Sequence, residues 1–117
     1  MRSTMLILLF SLICGGAQPQ RVGSIRGAGP IGCGEFLEHR KAKNDVQENV
    51  CVTWVWGFLS AYNLFGSHAQ IAIPDRPTVL AYMDKFCREE PLADLAAGTL
   101  SLIGDLGGWR PPGLKRP

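Results

Sequence analysis

Residues 50–65, Val50-Cys51-Val52-Thr53-Trp54-Val55-Trp56-Gly57-Phe58-Leu59-Ser60-Ala61-Tyr62-Asn63-Leu64-Phe65, decide how this chain folds. The run is apolar nearly all the way round a helix, and such a helix belongs in the middle of a bundle. A membrane span fits less well. Thr53, Ser60 and Asn63 interrupt the run, Ser67-His68 follows it, and its length falls short of the ~20 residues a span needs. Gly57 and Ala61, four apart, read as a device that lets a neighbouring helix approach closely. Trp54 and Trp56 read as core aromatics rather than as ligand groups.

Upstream, Asn44-Asp45 closes a first helix and opens this one, with Asp45 and Glu48 spaced as a capping-box variant. The first helix is expected from Gly32-Cys33 to about Lys43, because Cys33, Phe36 and Leu37 recur at i, i+3, i+4 and Glu35 suits the positive helix start. Downstream, Pro74-Asp75-Arg76-Pro77 is a turn, and Asp75 is the expected cap of a third helix. Its stripe is Val79, Leu80, Met83, Phe86 and Cys87. Glu90-Pro91 is expected to break this helix and start a fourth, since proline suits the first turn. Leu92, Leu95, Ala96, Thr99, Leu102, Ile103 and Leu106 would line its inner face, and Gly107-Gly108 would stop it. No stretch alternates with period two for long enough to be a strand; Gln70 to Ile73 comes nearest. The predicted fold class is all-α, a small four-helix bundle.

The chain begins with Arg2, an apolar run from Thr4 to Ile13, and the small residues Gly15, Gly16 and Ala17. That order predicts a secretory signal peptide over 1–17, cut after Ala17. Cys14 invites a lipoprotein reading, but lipidation wants a small residue before the cysteine, and Ile13 stands there. Export predicts a periplasmic or secreted protein, with no stable membrane insertion after cleavage, and sets nucleotide-fuelled chemistry aside. Residues 18–32 then read as a flexible lead-in, 33–106 as the folded domain and 107–117 as a disordered Pro/Gly tail. A body that small buries a limited core and wants a covalent or quaternary aid.

Charge is unevenly spread. Residues 33–106 carry six Lys and Arg against all ten Asp and Glu, a net of −4, while Arg21, Arg26, Arg110, Lys115 and Arg116 lie in the tails. The folded part therefore shows no basic face for nucleic acid.

With Cys14 removed, Cys33, Cys51 and Cys87 remain, which suggests one disulfide and one leftover thiol in an oxidising compartment. Three pairings are open. Cys51 lies in the most apolar helix, where a lone cysteine behaves as a small hydrophobe. Cys33 and Cys87 sit at helix ends, so Cys33–Cys87 is the favoured pair.

Other motifs fail on context. Gly27-Ala28-Gly29-Pro30-Ile31-Gly32 matches G-x-G-x-x-G, but no strand precedes it and nothing downstream builds a parallel sheet, so it reads as a linker. His39 and His68 are far apart and lack ligand spacing, so neither a metal nor a cofactor is expected. Ser60, Ser67 and Ser101 have no catalytic motif around them, Cys51 has no nearby cation, and Glu89-Glu90 point apart on a helix. The reading is non-enzymatic.

With four helices in hand, the chain resembles the HdeA/HdeB superfamily of small periplasmic acid-stress chaperones, and the related Rap/Tai-type immunity proteins of type VI secretion. The resemblance rests on Cys33-Gly34-Glu35-Phe36-Leu37, Gly57-Phe58-Leu59-Ser60-Ala61-Tyr62-Asn63, Tyr82-Met83-Asp84-Lys85-Phe86-Cys87 and Pro91-Leu92. In the chaperones one disulfide joins the first long helical segment to a later helix, which implies Cys33–Cys87. The immunity group often bonds a cysteine just ahead of the Gly-aromatic motif, which keeps Cys51–Cys87 as the alternative.

Two functions follow, both through binding to protein. The first is an HdeA-like acid-stress chaperone, whose body passes from −4 to eight positive charges once carboxylates protonate and His39 and His68 charge. The second is an immunity protein that neutralises a secreted cell-wall hydrolase through the loop from Asn63 to Pro77, with Phe65, His68, Gln70, Ile71 and Asp75 as the expected contact residues. The partner is then a client protein or a secreted effector, and a homodimer is a further expectation. An exported helical protein with neither role is the third reading.

Overall fold

The protein, described here over residues 24–113 by a computed structural model, is built from four helices: α1 (Cys33–Lys41), α2 (Asp45–Phe65), α3 (Arg76–Glu89) and α4 (Leu95–Asp105). Among the described residues there is no strand beyond one isolated antiparallel bridge, Gly32 to Asp94. The expected signal peptide, Cys14 and the last tail residues lie outside the described residues.

Helix α2 packs against each of the other three helices, and α3 against α1 and α4. Cys51, Val52, Val55 and Leu59 form its buried stripe. They meet Phe36 of α1, Val79, Leu80 and Met83 of α3, and Leu95, Leu102 and Ile103 of α4 in one core. The helix is not enclosed all round, as its composition suggested. Val46, Val50, Leu64 and Phe65 are exposed, because only three helices and one short segment are available to cover it. Gly57 is not a close-approach site within the molecule: a Cβ there would meet nothing within 4 Å.

Three boundaries differ from expectation. The cap of α2 is Asn44, whose side chain accepts from the Gln47 amide at 3.2 Å. Glu48 takes no part in a capping box and is buried inside. Helix α1 stops at Lys41, and Lys43 adopts a left-handed conformation, φ 51°, to turn the chain into α2. Helix α4 does not start at Pro91. Asp94 caps it by accepting from the Ala97 amide at 2.8 Å, and Leu92, expected inside, is fully exposed. The cause is tertiary. The Cys33 amide donates to Ala93 O and the Leu95 amide to Ile31 O, both at 2.9 Å, which holds residues 93–95 extended beside 31–33.

Those same bonds make the end of the expected lead-in part of the fold. The Ala96 amide donates to Gly29 O, Ala28 is buried, and the Trp54 indole donates to Arg26 O at 2.8 Å. Gly29 is required by close approach, since a Cβ there would lie 2.4 Å from the Trp54 ring. The G-x-G-x-x-G match is thus a bed for an indole. At the other end, Gly108 and Trp109 fold back: the Gly108 amide donates to Ile103 O and the Trp109 amide to the Tyr62 hydroxyl.

A disulfide joins Cys33 at the start of α1 to Cys87 in the last turn of α3, 54 residues apart. Cys51 is left as a buried thiol, and burial, with Glu35 and Glu48 adding, pushes its pKa up and keeps it protonated. The result is an all-α, disulfide-stapled bundle.

Candidate functional site

The segment expected to bind a partner is held at both ends. Asn63 clamps Ile71, its amide nitrogen donating to Ile71 O and its oxygen accepting from the Ile71 amide, each at 2.9 Å. The Trp56 indole donates to Pro74 O at 2.9 Å. Between these ties the five named residues separate by role. Phe65 is 86% exposed, at the end of α2. His68 stacks on Tyr62 with ring centroids 5.7 Å apart, and Gln70 is exposed. Ile71 instead points into the core, and Asp75 caps α3 by accepting from the Thr78 amide at 3.0 Å. Hydrogen bonds from Thr78 hold the Asp75 carboxyl below its ordinary range. Phe65, His68 and Gln70 are therefore accessible along the rim of the loop, while Ile71 and Asp75 fix it.

A second constellation lies where α1, α2 and α3 meet. Glu48 is 4% exposed. Arg40 Nη1 donates to its Oε1 at 2.7 Å and Arg76 Nη2 to its Oε2 at 2.9 Å. Arg40 also grips Asp84 in a bidentate fork, Nε to Oδ1 at 2.9 Å and Nη2 to Oδ2 at 3.0 Å. Hydrogen bonding to Asp84, then to Glu48, raises the Arg40 pKa further above its ordinary value, so this guanidinium stays charged. Two carboxylates and two guanidiniums on three helices thus pair with one another, and the buried Glu48 is compensated on both oxygens by partly solvated guanidiniums. The sequence reading missed this cluster. One signal was available: Glu48 falls in register with Val52, Val55 and Leu59 at i, i+4, i+7, i+11, which places a carboxylate on the buried stripe and demands a cation opposite.

A third feature is an open cleft of about 490 Å³ between α3 and α4. Near one end the Tyr82 hydroxyl donates to Asp105 Oδ2 at 2.6 Å and lies 3.0 Å from the Ser101 hydroxyl. Arg110 also pairs with Asp105. Burial, together with the Asp105 bond, pushes the Tyr82 phenol up to about 12. The Tyr82 and Arg110 bonds hold Asp105 below the usual carboxylate range. Tyr82 is thus a fixed donor at neutral pH. Among the described residues no group of three metal-ligating side chains converges, and no helix is long and apolar enough to cross a membrane.

Set beside known proteins, the chain matches no family model, no curated protein and no solved structure.

Proposed function

We propose that this chain is an exported, non-enzymatic protein that acts by binding other polypeptides, in an acid-stress role similar to that of the HdeA/HdeB chaperones. The observation that carries this reading is Glu48, enclosed between Arg40 and Arg76 with Asp84 closing the cluster. Carboxylates ordinarily protonate near pH 4, and guanidiniums do not lose their proton in proteins. As acid removes carboxylate charge from the body as a whole, Arg40 and Arg76 keep theirs, and a junction held by opposed charges is the part of the bundle most exposed to that loss. The α1–α2–α3 junction then loosens and uncovers Val52, Val55 and Leu59. These add to the apolar side chains that α2 already exposes at its two ends, Val46 and Val50 at one and Leu64 and Phe65 at the other. The Cys33–Cys87 bond keeps α1 tied to α3, so the change is an opening rather than complete unravelling.

The test is light scattering from an acid-denatured client enzyme with and without the protein. Suppression of aggregation at pH 2–3 and none at pH 7 is expected. An equal lack of protection at both pH values removes the chaperone role.

A second reading, the immunity protein, has its own support in the rim of Phe65, His68 and Gln70, displayed by a loop tied down through Asn63 and Trp56. Here Phe65→Ala should abolish capture of a secreted cell-wall hydrolase from periplasmic extract without lowering the melting temperature. Capture that survives the substitution excludes this rim.

A further inference from the structure

Helix α2 exposes more than its two ends. The exposed positions Val46, Val50, Thr53, Gly57, Ala61 and Leu64 recur at i, i+4, i+7, i+11, i+15 and i+18. That spacing keeps them on one line along the helix, opposite the buried stripe of Cys51, Val52, Val55 and Leu59. The residues that flank the line, Asn49 and Ser60 on one side and Gln47 and Trp54 on the other, are uncharged too. The two charges of the helix lie elsewhere: Glu48 is buried, and Asp45 faces Arg76. A solvated helix face ordinarily carries charge. This one carries none.

Gly57 stands in the middle of the line with no reason for being glycine inside the molecule. A Cβ there would meet nothing within 4 Å, its φ is not positive, and glycine weakens a helix interior. A bare backbone at that point does allow another helix to come close, with the small Thr53 and Ala61 one turn to either side.

The two ends of the line indicate what covers it. Val46 and Val50 lie at its start and Leu64 at its finish, with small residues between, so the line is complementary to its own reverse. Laid antiparallel on a second copy, Val46 meets Leu64, Val50 meets Ala61 and Thr53 meets Gly57. Charge agrees with that direction. The last turn of α2 has no basic side chain to meet its carbonyl end, while Lys43 stands exposed just ahead of the first turn. In the antiparallel pair each Lys43 falls beside the last turn of the opposite α2, where a cation is favoured. Area sets the strength. A line of about 27 by ~10 Å gives a footprint of roughly 300 Å² on each copy, against ~800 Å² per partner in a standard stable complex. The contact is a reversible pair, not an obligate dimer.

We propose that the outward face of α2 forms a two-fold, antiparallel seam with α2 of a second copy of this chain, closest where Gly57 passes Thr53. The inference stands whether or not either functional reading does.

Sedimentation velocity on the protein as the cell processes it, from about 10 µM to about 1 mM, tests it. A concentration-dependent shift from monomer to dimer is expected. Gly57→Glu should weaken the pair by roughly a hundredfold or more, since it buries an unpaired charge. Its side chain meets only solvent in the single molecule, so the melting temperature of dilute protein should not fall. Gly57→Leu separates a close-packed seam from general stickiness. A loss of about tenfold is expected from overpacking, whereas tighter association overturns the seam. Lys43→Glu should weaken the pair by about fivefold; unchanged affinity overturns the antiparallel direction. A chain that is monomeric at every concentration, or association that Gly57→Glu leaves intact, overturns the proposal. Monomers that float with phosphatidylcholine vesicles, and are released by Gly57→Glu, assign the face to a lipid surface and exclude a second copy.

Discussion

At the α1–α2–α3 junction the molecule is held by charge, whereas along the α2–α4 side it is held by shape. The first region buries Glu48 against Arg40 and Arg76; the second lays Trp54 on Gly27 and Gly29 and zips residues 29–33 to 93–96 through backbone bonds. The first depends on ionised side chains facing one another; the second rests mainly on backbone bonds and ring packing, with the Asp94 cap of α4 as its one carboxylate. Acid is therefore expected to open the chain at one place, along the edge where α1 and α3 leave α2, while α4 and the glycine segment stay together.

Several substitutions break or sharpen this contrast. The largest effect belongs to the covalent bond that spans the charged junction. Cys33→Ala/Cys87→Ala should cost about 4 kcal/mol in urea unfolding, given the length of the loop it closes. Next is Glu48→Ala. Removing one partner of an enclosed pair costs ~3–5 kcal/mol, and because the Arg40 and Arg76 side chains are about a third exposed we expect roughly 2–3 kcal/mol. Urea unfolding at neutral pH reads the deficit; a loss below ~0.5 kcal/mol would show that the cluster does not hold the junction.

Gly29→Ala attacks the other region. Its Cβ would overlap the Trp54 ring, so a loss of about 1–3 kcal/mol is expected, the same at pH 7 and pH 4. A loss that varies with pH would dissolve the distinction between the two regions. Asp105→Asn is smaller, below ~1 kcal/mol at neutral pH because the pair with Arg110 is partly solvated. Its sign is fixed by linkage. The carboxyl pKa is lowered in the folded state, so its contribution is present above the unfolded value near 4 and fades as pH falls through the folded one. The variant should lose that part of the slope in thermal melts from pH 5 to pH 2. Leu92→Ser should change stability by less than ~0.5 kcal/mol, since the side chain lies wholly in solvent.

Local pattern carried the helices well and the contacts between them poorly. The third helix was legible down to its cap because Asp75 and Arg76-Pro77 stand directly before the Val79–Cys87 stripe. The fourth was misplaced because two start signals compete within four residues. Pro91 satisfies the local rule, but Asp94 wins by the bridge to Gly32, 62 positions away in sequence. Glu48 illustrates the same limit. Within its own helix it resembles a capping carboxylate, and only Arg40 and Arg76, from two other helices, make it a buried counter-ion. The glycines at 27, 29 and 32 looked like a linker because their reason for being glycine, an aromatic ring pressed on them, is contributed from Trp54. The cysteine pair was readable because its members mark two helix ends. The α3–α4 cleft left no trace, since grooves arise where side chains are small rather than where they are distinctive.

Trp54 and Trp56, two positions apart, donate in opposite directions, one to Arg26 O and the other to Pro74 O. Each indole is therefore an optical reporter of a different attachment. With Trp109 already replaced by Phe, replacing one of the two by Phe leaves emission from the other alone to follow either the glycine bed or the rim loop through an acid titration. The order in which those two signals shift red would time the opening, region by region, without any added label.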